Sequence, residues 1–173
     1  QEGADKFLWN EGGKVWGAYG VTVDKAAENL LAEVFELDTY EKKRQFNKEN
    51  GNLVRKIRKN VNGTRSMHFH VGIKLTALDK RLFESWHVWK KTNVDNGGSN
   101  YMVGFVPLSE YSGRKFEEKE DYKSGESTGI YIIEAIAPNV CRVTRIQHVD
   151  LNITGLPTKA LKILAKSELA EAN

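Results

Sequence analysis

The spacing of apolar and polar positions divides the chain into a short mixed opening, a long β-rich middle and a helical end. KVWGAYGVTV, residues 14–23, is rich in β-branched and aromatic residues and follows an EGG turn, so it reads as a strand. After Asp24 the spacing becomes helical. Ala27, Leu30, Leu31, Val34 and Phe35 mark one buried face of a helix predicted over residues 24–37, with Asp24 as its cap. YEKKRQFNKEN predicts a second, more polar helix closed by Asn50-Gly51.

From Asn52 to Asp150 the pattern is β. LVRKIRK and TRSMHFHVGIKLTA flank Asn62-Gly63, a hairpin signal because both turn positions need positive φ. RLFESWHVWKK, YMVGFVPL, GIYIIEAI and VCRVTRIQHV follow, separated by NVDNGGSN, a long charged loop and Ala137-Pro138-Asn139. Sequential, closely spaced strands predict an antiparallel meander. LPTKALKILAKSELAEA predicts a closing helix, with Pro157 in its first turn and Leu161, Leu164, Ala165 and Leu169 as its apolar stripe. The expected fold class is α+β, a curved antiparallel sheet gripping a C-terminal helix.

Composition narrows the function classes. At 173 residues, 40% hydrophobic and 28% charged, the chain reads as one globular domain. No apolar run approaches the roughly 20 residues of a bilayer span, and the N-terminus lacks a signal peptide's pattern. It opens on Gln1, which reads as a piece excised from a longer chain. Cys141 is the one cysteine, so a reducing, cytoplasmic setting is expected. The net charge of +3 is mild, and LVRKIRKN reads as a strand with solvated charges rather than a nucleic-acid patch.

Candidate chemistry centres on MHFHVGIK, residues 67–74. His68 and His70 share a strand face because side chains alternate. If ALDK turns the hairpin, His87 lands on the same face, and three imidazoles offer a minority reading as a zinc or iron site. No HExxH, Cys cluster, GxSxG or phosphate-cradling glycine loop accompanies them, and no cofactor is expected. One face of the strand reads Ser66, His68, His70, Gly72, Lys74, and one face of the next reads Arg81, Phe83, Ser85, His87, Trp89. So many polar groups among apolar ones suit a cavity wall better than a dry core.

Against this background the chain resembles a START domain, the steroidogenic-acute-regulatory-protein-related lipid-transfer family. KVWGAYGVTVDKAAENLLAEVFELD is similar to the family's strand-then-helix opening, and KRLFESWHVWKK to its Arg-x-Phe strand. CRVTRIQHVDLNITGLPTKAL is similar to its last strand and the Leu-Pro that starts its last helix. The resemblance runs over residues 14–170 and implies a helix-grip fold around a lipid tunnel. The family's N-terminal helix, with a strand beside it, is expected to be truncated here. In the family's sterol carriers an acidic residue and an Arg meet inside the tunnel. Counting from Arg81-Leu82-Phe83, the matching positions are His68 and His87, so the ion pair is replaced. Alternation alone makes Met67, Phe69, Val71, Ile73 and Leu75 the core face, whereas the resemblance points their alternates inward. A β-bulge near Gly72 is expected to reconcile the two.

The expected function is non-enzymatic binding, and with it transfer, of a sterol, phospholipid or fatty-acid-like ligand by a monomer in transient contact with a membrane. His68, His70, Ser85 and His87 are the expected polar contacts. Phe83, Trp89, Met102, Val106, Leu161 and Ala165 are the expected walls. Two alternatives stand beside this: a helix-grip or three-histidine metal-dependent enzyme using the same cavity, and a ligand-sensing domain of a multidomain protein.

Overall fold

The computed structural model of the chain describes residues 5–49, 51–60, 65–74, 79–93, 99–110 and 122–153. Their elements are β1 (Asp5–Glu11), β2 (Lys14–Val23), α1 (Ala27–Phe35), α2 (Tyr40–Lys48), β3 (Asn52–Lys59), β4 (Ser66–Lys74), β5 (Lys80–Asn93), β6 (Ser99–Pro107), β7 (Lys123–Ala137) and β8 (Val140–Asp150). The Asn62-Gly63 turn, Leu75, the start of the charged loop and the predicted closing helix lie outside the described residues.

The strands form a curved antiparallel sheet in the order β1-β2-β8-β7-β6-β5-β4-β3. Past the end of β6, β5 and β7 meet directly in a short parallel pairing, Arg81–Phe83 with Lys123–Gly125. Arg81, of the Arg-x-Phe strand, is buried and donates from Nε to the Leu151 carbonyl at 2.8 Å. It fastens β5 to the segment leaving β8. The basic strand β3 lies at one edge, where charge discourages pairing with another chain.

Across antiparallel neighbours, directly opposed residues share a face, so the registers sort the whole sheet into an inner and an outer side. The inner side carries Tyr19 and Val21 of β2, Met67 of β4, Tyr101 and Val103 of β6, Ile133 of β7, and Cys141 and Val143 of β8. These pack against Ala27, Leu31 and Phe35 of α1 as one core cluster. The helical spacing therefore buries the face that the sequence predicts, and each large side chain contributes about 1.5–3 kcal/mol by leaving water. α1 starts later than predicted, after Ala26 and with no side-chain cap, so Asp24 does not cap it. α2 is capped by Thr39, whose Oγ1 accepts from Lys42 N–H at 3.3 Å. It is tied to β3 by Asn52 Nδ2 donating to the Phe46 carbonyl at 2.9 Å and by Arg55 over the Phe46 ring.

β1 is a strand that the sequence reading left in the opening segment, and β7 begins inside the stretch read as a charged loop. No helix among the described residues is long and apolar enough to cross a membrane.

Candidate functional site: a cavity on the inner face of the sheet

Helix α1 covers only part of the inner face. Along β4, β5, β6 and β8, inner residues at one end belong to the core and those at the other end line a cavity of about 510 Å³. Met67 gives way to Phe69 and Val71, and Val103 to Phe105. Cys141 and Val143 give way to Arg145, Gln147 and Val149. The end of α1 and the segment after it contribute Glu33, Val34 and Leu37 to the rim. The division follows from length, since nine helical residues at about 1.5 Å per residue cannot span strands of nine to fifteen residues at about 3.3 Å.

Two polar pairs, in addition to Glu33, Asn52, Lys74 and Ser127, interrupt the apolar walls. Ser85 Oγ and His87 Nε2 lie 2.8 Å apart, two residues along β5 and therefore on one face. The His87 ring stacks on Phe105 at 5.3 Å and meets Phe69 edge-on at 5.5 Å. Its remaining surface opens on the cavity. Burial, reinforced by the nearby Arg145 charge, pushes the imidazole down to about 3, so it is neutral at physiological pH.

The second pair is Arg145 and Gln147 on β8, again two residues apart. The Arg145 guanidinium lies over the Tyr131 ring at 5.2 Å. Its buried Nε has no hydrogen-bond partner among the described residues, and neither has the Oε1 of the buried Gln147. The sequence reading missed both. Their signal lies in CRVTRIQHV, where Cys141, Val143 and Val149 define an apolar face that Arg145 and Gln147 interrupt.

No family model and no curated protein sequence matches the chain. Solved structures do. The human StarD13 (DLC2) lipid transfer and protein localization domain matches at TM-score 0.70 and 16% identity, over 98% of this chain and 81% of that one. Human STARD10 matches at TM-score 0.74 and 15% identity, over 99% of this chain and 65% of that one. Human StAR-related lipid transfer protein 5 matches at TM-score 0.66 and 10% identity, over 95% and 81%. The chain has the START helix-grip fold. At such identities the likeness is one of backbone and not of site.

Within the START fold the registers place the predicted residues on two different sides. Phe83, Ser85 and His87 come together on the cavity wall. Trp89 is also on the inner face, but beyond the cavity, packed edge-on against Tyr101 at 6.1 Å with Arg65 over its ring. His68 and His70 are on the outer face. Met67 stands opposite His87, while His68 stands opposite Trp86 and His70 opposite Glu84. The three histidines therefore cannot converge, and among the described residues no group of His, Cys, Asp or Glu could hold a metal. His70 Nδ1 lies 3.2 Å from Glu84 Oε1, a carboxylate that the mistaken face assignment had put on the other side.

Met102 and Val106 likewise alternate with the inner residues of β6 and face outward, Met102 with 38% of its surface exposed. Leu161 and Ala165 lie outside the described residues. The irregularity expected near Gly72 sits on β3, between Asn52 and Val54. It leaves β4 in unbroken register with β5 from Ser66 to Lys74. Alternation, with Met67, Phe69, Val71 and Ile73 inward, is what the structure follows. The count from Arg81 that carried His68 inward is corrected by one residue.

Proposed function

We propose that the cavity binds the apolar body of a lipid or similar amphipath, with its polar end held by a few side chains on β5 and β8. The observation that carries this reading is the composition of the walls. Phe69, Val71, Phe83, Phe105 and Val149 form an apolar wall onto which the Ser85–His87 and Arg145–Gln147 pairs converge, with Glu33, Asn52, Lys74 and Ser127 also lining the space, in a volume within the usual range of ligand sites. Transfer of alkyl surface out of water supplies about 0.8 kcal/mol per CH₂, and the polar groups select and orient. The START fold, shared with a lipid transfer domain, supports the same assignment.

The Ser85–His87 contact has the separation of a nucleophile and its base. An imidazole held at about 3 is too weak a base to take a hydroxyl proton efficiently near neutrality, so we read the pair as a binding group. The test is a titration of delipidated protein with fatty acids, sterols and phospholipids, followed by displacement of an environment-sensitive probe. Saturable, stoichiometric binding of at least one class is expected. Binding of none sinks the reading.

A further inference from the structure

The polar pair on β8 says what kind of head group the cavity takes. Gln147 is only 4% exposed, lines the cavity and leaves Oε1 without a partner among the described residues. Arg145 lines the same wall, and its buried Nε is unpartnered in the same sense. A guanidinium is always charged and donates only, so a ligand that satisfies it must accept. No carboxylate among the described residues forms an ion pair with Arg145. Glu33, on the cavity rim, is engaged by Lys25. A buried polar group left unmatched is costly, and a charged one more so.

We infer that the cavity holds an amphipath whose head group is an anionic oxygen acid, with its oxygens on Arg145 and Gln147 and its alkyl body along Phe69, Phe83 and Phe105. This rests on the lipid-cavity reading above. The Arg145 fork suits a carboxylate or a phosphate equally. The Gln147 amide serves either way round, donating to a second oxygen or accepting from a protonated one.

The experiment compares three probes on the delipidated chain, below their micellar concentrations: dodecanoate, dodecanol and acetate. Dodecanoate is expected to bind roughly 10- to 100-fold more tightly than dodecanol, the range of one or two charge-assisted hydrogen bonds. Arg145→Met should erase that preference while leaving dodecanol binding in place, and Arg145→Lys should retain part of it. Gln147→Glu, which gives Arg145 a carboxylate of its own, should abolish the preference for dodecanoate. Arg145→Met in that background should turn it toward dodecylammonium, added as a fourth probe, a gain that misfolding cannot produce. Equal binding of dodecanoate and dodecanol, or a preference that survives Arg145→Met, overturns the inference and leaves the cavity reading standing. Acetate binding as tightly as dodecanoate also overturns it, because the site would then take a free anion. Failure of both dodecyl probes, with no other lipid bound, removes the cavity reading itself.

Discussion

Gly125 lies directly across from Phe83 in the short β5–β7 pairing, and a Cβ placed on it would stand 2.5 Å from Cε1 of the Phe83 ring. The ring can relieve that clash by swinging toward the cavity it lines. Gly125→Ala is therefore expected to cost about 1–3 kcal/mol and to weaken binding of long-chain probes more than short ones. Gly129 provides the contrast. A Cβ there would meet the Ile146 carbonyl oxygen as well as Phe105 Cζ at 2.5 Å, and backbone cannot swing away. Urea denaturation should show Gly129→Ala to be the more destabilising. Equal costs would mean that the Phe83 ring is as fixed as the backbone.

A neutral His87 makes stability depend on pH in a definite direction. In the unfolded chain an imidazole takes up its proton near 6.5, whereas in the fold His87 does so at about 3. Between these values the unfolded state binds a proton that the folded state refuses. Its contribution is intact above about pH 6.5 and is lost as pH falls toward 3, by about 1.4 kcal/mol per unit at most. His87→Gln removes this component. The difference between wild type and variant, from denaturation at about pH 4.5 and about pH 7, should shrink toward the acid side. A difference that does not change with pH would show that His87 takes up its proton alike in both states.

Phe35 anchors α1 to the inner face and is 4% exposed. Phe35→Ala should cost about 3–5 kcal/mol, because the cavity it leaves lies between helix and sheet, where neither can close it alone. The denaturation midpoint measures this. A cost below about 1 kcal/mol would mean that α1 contributes little to the fold.

Cys141 is fully buried at the β2–β8–β7 junction, and burial pushes its thiol up from the ordinary range. Native protein should therefore leave a thiol reagent such as Ellman's unreacted, and denatured protein should consume one equivalent. Rapid labelling of the native chain would place this end of the core open to solvent on that timescale.

Much of the fold was legible because it rests on local patterns. β2 begins and ends where β-branched density does, and α1 buries the face its spacing marks. β1 was hidden because DKFLWNE contains three apolar residues among charges and its outer face stays exposed, as Phe7 at 63% shows. The placement of the candidate site was half legible. Ser85 and His87 were found by face, since alternation within one strand is reliable. His68 was misplaced because relating two strands requires the register, and one residue of error exchanges inside for outside. The one local signal that distinguishes the two assignments is the apolar run Met67, Phe69, Val71 and Ile73, and it is the better guide.

β5 and β7 join past Pro107, where β6 ends. Pro107 has no N–H to donate, so β6 has one ladder bond fewer to offer at its end, and its two neighbours draw together there. A tailor makes flat cloth fit a shoulder with a dart, a wedge taken in at one edge. Here the missing wedge is the rest of β6, and the chamber beside Phe83 lies where the sheet is taken in. The length of a single strand thus decides where two others, otherwise held apart, come to lie side by side.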